Sequence, residues 1–246
     1  MENFEKDLNF LINLVKEASL IIKNEKMEVF DKNVNDIVTN LDLKVEKYII
    51  ENLKGSYKEF EIISEEFNPK SEISDNYFTI DPIDGTMNFA NNLKEWSIQI
   101  AMVKDKKDYI SIMYFPILDE LFYCVKGRGV YLNNKQIFDT KTISNKRIFT
   151  VDAGPHNRYK IAEEIDDKLG RIRAYGCVSY SYANLIKRNL SGIIFLSKTK
   201  WDIMPGLIMC KELGLKIFEN EKYFIASINE EILQELINIV KKHYID

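Results

Sequence analysis

The apolar residues of this 246-residue chain change their rhythm near residue 140, and that change limits the fold more than any other feature. Phe4, Leu8, Leu11, Val15, Ala18 and Ile22 recur at alternating spacings of four and three, which predicts a helix over residues 3–24. A polar stretch around Asp31-Lys32-Asn33 separates it from a second helix predicted over 39–55, with Leu41, Val45, Ile49 and Leu53 on one side. Short apolar runs bounded by polar turns follow at 61–63, 77–80, 96–103, 109–115, 121–126 and 130–132, with Asn133-Asn134 as a turn. They read as a mostly antiparallel set of strands. Beyond residue 140, predicted strands at 147–152, 171–175 and 192–196 alternate with predicted helices at 161–169, 180–188, 203–213 and 230–242. The expectation is an α+β lobe over 1–140 and an α/β lobe over 141–246, joined around a cleft as one structural unit.

Composition removes several classes of function. With 46% hydrophobic and 29% charged residues, the chain has the balance of a folded domain. Its 34 basic and 38 acidic residues leave a net charge of -4, and no basic run is flanked by aromatics, so no nucleic-acid partner is expected. The N-terminal stretch has no basic n-region and no small-residue cleavage site, and charges of both signs interrupt the first helix, so neither a signal peptide nor a membrane partner is expected. Cys124, Cys177 and Cys210 are far apart with no Cys-x-x-Cys, which suits reduced, buried cysteines in a cytoplasmic protein. His156, in Gly154-Pro155-His156-Asn157, reads as a loop residue, and no Gly-x-Ser-x-Gly elbow accompanies it.

The acids carry more information than their number. Asp81-Pro82-Ile83-Asp84-Gly85-Thr86 follows directly on a predicted strand. Two carboxylates at the point where a strand turns can converge on one side. Pro82 stiffens the turn, and Gly85 permits a tight bend and a close backbone approach. A helix beginning at Thr86 would aim free N–H groups at an anion, commonly phosphate. Hard oxygen ligands beside such a cradle suit magnesium-assisted phosphoryl chemistry, with an ordinary acidic turn as the alternative. Two residues separate the acids, not the one of phosphatases with an aspartyl nucleophile, which argues against a covalent mechanism. Of Glu65-Glu66, at the end of a strand, one side chain is expected to face the site and the other to be structural. Asp202, before an apolar helix, reads as an N-cap or a ligand, and Thr39 with Asp42 has the pattern of a capping box.

In order along most of the chain come Asp36-Ile37-Val38-Thr39 with Asp42, then Ser64-Glu65-Glu66, then Asp81 to Phe89 as Asp-Pro-Ile-Asp-Gly-Thr-x-Asn-Phe. Pro116 to Phe122 with Gly127-Arg128-Gly129 and Asn133, and Trp201-Asp202 with Gly206, complete the series. Together these motifs resemble the inositol monophosphatase family, within the lithium-sensitive, magnesium-dependent phosphatases. The resemblance implies a layered αβαβα sandwich of mixed α+β and α/β character, a homodimer, inhibition by Li⁺, and release of inorganic phosphate from a small phosphorylated metabolite. It also implies that Glu65, Asp81, Asp84, Asp202 and the Ile83 carbonyl hold two or three Mg²⁺ ions. Gly85 and Thr86 would bind phosphate. Asp42, Thr86 and Glu65 would serve catalysis, the first two by orienting the attacking water, and Glu66 is structural first. Asp84, Gly176, Cys177 and Val178 would meet the substrate. Phe195 stands where inositol-specific members carry an acid, so the acceptor for ring hydroxyls is missing. Ser197, Lys198 or Lys200 would contact substrate instead, or the two lysines are solvated loop residues. Inositol phosphate, 3′-phosphoadenosine 5′-phosphate, NADP, fructose 1,6-bisphosphate, histidinol phosphate and other sugar phosphates all stay open. The alternative of another class is a catalytically idle regulator that binds metal or phosphate.

Overall fold

The computed structural model describes residues 4–33, 36–138, 147–152, 154 and 158–244. The expected lobe boundary near 140 and His156 lie outside the described residues. The order is α1 (Phe4–Asn24), β1 (Val29–Asn33), β2 (Asp36–Thr39), α2 (Asn40–Ser56), β3 (Glu61–Ser64), β4 (Tyr77–Asp84), α3 (Thr86–Ala90), β5 (Ser97–Lys104), β6 (Lys107–Phe115), β7 (Glu120–Val125), β8 (Gly129–Leu132) and β9 (Lys135–Ile137). Then come β10 (Ile148–Asp152), α4 (Arg158–Lys168), β11 (Arg171–Arg173), α5 (Val178–Ile186), β12 (Gly192–Phe195), α6 (Lys200–Glu212), β13 (Lys216–Glu219), β14 (Phe224–Ser227) and α7 (Glu230–His243).

Strands β3 to β9 form a seven-stranded sheet in sequence order, antiparallel except for the parallel pair β3–β4. The five-stranded sheet runs β11-β10-β12-β14-β13, with β10 parallel to β11 and β12 and the other pairs antiparallel. The alternation of side chains across each strand sets the layers. On β5, Ile98, Ile100 and Met102 pack against Leu11, Val15, Val45 and Ile49 of α1 and α2. Ala101 faces the other way, where Met113, Phe115 and Phe122 meet α5 and α6. On β12, Ile193 and Phe195 join that same middle layer, while Ile194 meets Ile161, Ile165 and Leu236 of α4 and α7. The result is α1/α2, sheet, α5/α6, sheet, α4/α7, the αβαβα sandwich that the motifs imply.

Besides the unpredicted short strand β9, three features differ from expectation. β1 and β2 pair antiparallel in the polar stretch for which no strand is predicted. β13 and β14 add antiparallel strands to the second sheet, which is therefore mixed. Helix α6 begins at Lys200 with Thr199 at the N-cap position, so Asp202 lies inside the first turn and is not the cap. Among the described residues, no helix is long and apolar enough to cross a membrane. The three cysteines are buried and form no disulfide.

Candidate active site

The site begins with an irregularity in β4, whose residues are all buried. Asp81 pairs with Gln99 of β5, and Asp84 pairs with Ser97. Three steps on β4 thus oppose two on β5, which is a bulge. Residues three apart on a regular strand face opposite sides. The extra residue brings both carboxylates to one side. Gly85 then takes φ of 87°, and a Cβ there would stand 2.9 Å from the Glu95 carbonyl oxygen. Only glycine fits that turn comfortably, and it launches α3 at Thr86. The first turn of α6 delivers Asp202 from the other half of the chain. One oxygen each from Asp81, Asp84 and Asp202 lies within 4.8 Å of the others. They open into a cleft of about 200 Å³, lined also by Glu65, Ile83, Gly85, Thr86 and Gly176, with Asp36, Ile37 and Met87 at its wall.

Asp42 is fully buried beneath this cleft. It completes the capping box of α2, accepting from the Thr39 N–H at 2.8 Å. Its other oxygen lies 3.1 Å from Thr86 Oγ1, which is also 2.9 Å from the Ile83 carbonyl oxygen. Asp84 is held at the N-terminus of α5, where the N–H groups of Val178 and Ser179 donate to its two oxygens at 3.1 and 2.6 Å. The Cys177 thiol donates to Asp84 Oδ2 at 3.1 Å. A carboxylate suits the N-terminal pole of a helix. Cys177 and Val178, expected as substrate contacts, thus stand behind Asp84, whereas Gly176 and Asp84 themselves line the cleft.

Glu65 and Glu66 follow the last residue of β3, so the strand alternation that was expected to separate them does not apply. Both meet the ammonium of Lys32, with Glu65 Oε1 at 2.9 Å. Lys32 is a site neighbour that sequence reasoning missed. Its partners lie 33 and 34 residues away, and no local pattern marks the pairing. Phe195 is fully buried and packs on Tyr182 and Phe224, with ring centroids 5.1 and 5.9 Å away. Lys198 is not a solvated loop residue, because its Nζ pairs with Glu219 at 2.7 Å and donates to the Asn220 carbonyl.

Burial dominates the electrostatics. It raises the Asp81 carboxyl well above its ordinary range, and the charges of Glu65, Asp84 and Asp202 push the same way. Asp202 is pushed up to about 7, by burial first and then by Asp84. Glu65 rises to about 8 through burial, with Lys32 pulling against the rise and Glu66 adding to it. Asp84 and Asp42 are raised by burial too, each moderated by its hydrogen-bond donors. Asp81 Oδ1 is buried with no hydrogen-bond partner. An unpaired buried carboxylate oxygen is costly. An oxygen-only donor set with this surplus of acceptors fits a hard divalent cation, which would satisfy that atom and offset the crowded charge.

A family model described as the inositol monophosphatase family matches residues 3–237. The chain belongs to the inositol monophosphatase family. It is 25% identical over 241 residues to the fructose-1,6-bisphosphatase/inositol-1-monophosphatase of Aquifex aeolicus, a match covering 94% of this chain and 90% of that one. It is 26% identical over 220 residues to the Nus factor SuhB of Escherichia coli K12, covering 84% of this chain and 82% of the relative. A solved IMPase/NADP phosphatase structure with NADP and Ca²⁺ superposes with a TM-score of 0.88, covering 98% of this chain and 97% of the other. At 17% identity that likeness speaks for the fold alone. As an inositol monophosphatase family member, the chain is a phosphatase acting on phosphoric monoesters, from a family that uses divalent metals.

Proposed function

We propose that the protein is a Mg²⁺-dependent phosphomonoesterase that releases inorganic phosphate from a small phosphorylated polyol, sugar or nucleotide. The observation that carries this reading is the convergence of Asp81, Asp84 and Asp202 within 4.8 Å, beside the turn at Gly85 and Thr86. Glu65, Asp81, Asp84, Asp202 and the Ile83 carbonyl would hold the ions. When bound, Mg²⁺ supplies an activated water and stabilises the departing alkoxide. The chain's own residues do the rest. The N–H groups of Gly85 and Thr86 take phosphate oxygens where the chain turns into α3. The Thr86 hydroxyl donates a hydrogen bond to Asp42 or the Ile83 carbonyl, which leaves its lone pairs to accept from the attacking water. Asp42, made more basic by burial, would take the Thr86 hydroxyl proton as the attacking water gives its own to Thr86 Oγ1.

The leaving group would rest over Gly176 and Met87, on the exposed rim of the cleft. Phe195 is committed to the core, so no acid at that position selects inositol hydroxyls. This favours tolerance of several alcohols over strict inositol specificity. A homodimer in a cytoplasmic setting belongs to the same proposal. A relative bears the name of a Nus factor, which keeps the idle regulator in view, but the intact acid set favours turnover. The deciding experiment is a panel of inositol, sugar and nucleotide phosphates, scored for inorganic phosphate with Mg²⁺ and with EDTA. Release that EDTA abolishes is expected. Metal-independent release, or none from any ester, would refute the proposal.

A further inference from the structure

Lys32 sits on β1, a strand exposed along its whole length, yet its ammonium reaches the rim of the cleft. It bridges two carboxylates of different standing. Glu65 lines the cleft beside Asp81 and Asp202. Glu66 is turned away from it, its side chain only 6% exposed. The backbone there is anchored, because the N–H groups of Glu66 and Phe67 donate to the Glu46 carboxylate at 2.9 and 2.7 Å. The same hairpin carries Asp36 and Ile37 in the cleft wall.

We infer that Lys32 is a tethered counter-ion, which neutralises Glu65 while no metal is bound and withdraws onto Glu66 when a divalent cation takes Glu65. An ammonium and a divalent cation held by the same carboxylate repel each other strongly at this range. The flexible four-carbon stem lets Lys32 leave one carboxylate without moving its backbone. Glu66, with Glu46 and Asp42 nearby, keeps a negative field for the displaced charge. Metal affinity at the Glu65 side is therefore set by competition between the ammonium and the cation. Lys32 acts through Glu65 and is a positioning residue, not a catalytic one.

This inference rests on the divalent-cation site proposed above, and calorimetric titration of the whole chain with Mg²⁺ separates the two. Wild type, Lys32→Met and Glu66→Gln are compared at pH 8. Lys32→Met is expected to bind Mg²⁺ roughly tenfold more tightly, since the competing charge is gone. Glu66→Gln is expected to bind more weakly than wild type, because Lys32 then has Glu65 as its remaining partner. The opposite signs exclude a generic effect of altering the hairpin. Unchanged or weaker binding by Lys32→Met, or unchanged or tighter binding by Glu66→Gln, overturns the role of Lys32 while leaving the metal site standing. No binding by wild type overturns both.

Discussion

Thr86 Oγ1 lies 3.1 Å from Asp42 Oδ1, joining the first turn of α3 to the first turn of α2. If the pair forms one proton path, losing either member breaks it. Asp42→Asn and Thr86→Ala are each expected to lower kcat about a hundredfold, with little change in KM. The double variant should be hardly worse than either single one. Asn at 42 can still accept from the Thr39 N–H, so the capping loss should stay near or below about 1 kcal/mol. Steady-state rates of the three variants decide the matter. Fully multiplicative losses would mean that the two residues act separately.

Asp84 answers to two demands. It faces the cleft, and it accepts from the N–H groups of Val178 and Ser179. Asp84→Asn removes a ligand charge and sets an amide NH₂ against one of those donors. Turnover should disappear, while the folded state survives with a loss of about 1–3 kcal/mol. Denaturant melts and phosphate release are the measurements. Full Mg²⁺-dependent activity in this variant would remove Asp84 from the metal site.

The raised acids make a prediction about pH. In the folded chain Glu65 titrates at about 8 and Asp202 at about 7, against ordinary values of 4.5 and 3.8. Between about pH 4 and 8 the metal-free folded state therefore holds more protons than the unfolded chain, and stability falls as pH rises. Mg²⁺ replaces those protons, so it should raise Tm more at pH 8.5 than at pH 5.5. Thermal melts with and without Mg²⁺ at both values test this. An equal shift at the two pH values would contradict it.

The parts of the fold that sequence made legible have long periodic patterns or tight turn chemistry. The 21-residue α1, the Thr39–Asp42 capping box and the Gly85 turn are of this kind. Strands β13 and β14 are not legible although β3, β8 and β12 are as short, because their place beside β12 comes from antiparallel pairing that no local pattern marks. The hairpin of β1 and β2 hides because β1 buries no residue. Asp202 was legible as an acid at a helix start, but not the earlier start at Lys200 that places it inside the first turn. The bulge in β4 explains how acids three apart can converge, yet the pairing with β5 that creates it is invisible in β4 alone. Likewise nothing in the chemistry of Gly176-Cys177-Val178 announces that the last two hold a carboxylate.

Gly206 tests how closely α6 must approach α5 to set Asp202 in the cleft. A Cβ at Gly206 would stand 2.1 Å from the Tyr182 ring. That ring is fully buried and confined by Phe195 and Phe224, with centroids 5.1 and 5.6 Å away. The ring cannot yield, so α6 must move, and Asp202 lies one turn before Gly206 on the same helix. Gly206→Ala should therefore cost about 1–3 kcal/mol despite the higher helix propensity of alanine. It should also weaken Mg²⁺ binding. Gly55 is the control, since it lies in α2 and a Cβ added there would meet nothing within 4 Å. Gly55→Ala should stabilise by up to about 1 kcal/mol and leave Mg²⁺ binding unchanged. Denaturant melts and calorimetric titrations of both variants check the contrast. A Gly206→Ala protein as stable as wild type, with normal Mg²⁺ affinity, would show that α6 can be displaced without disturbing Asp202.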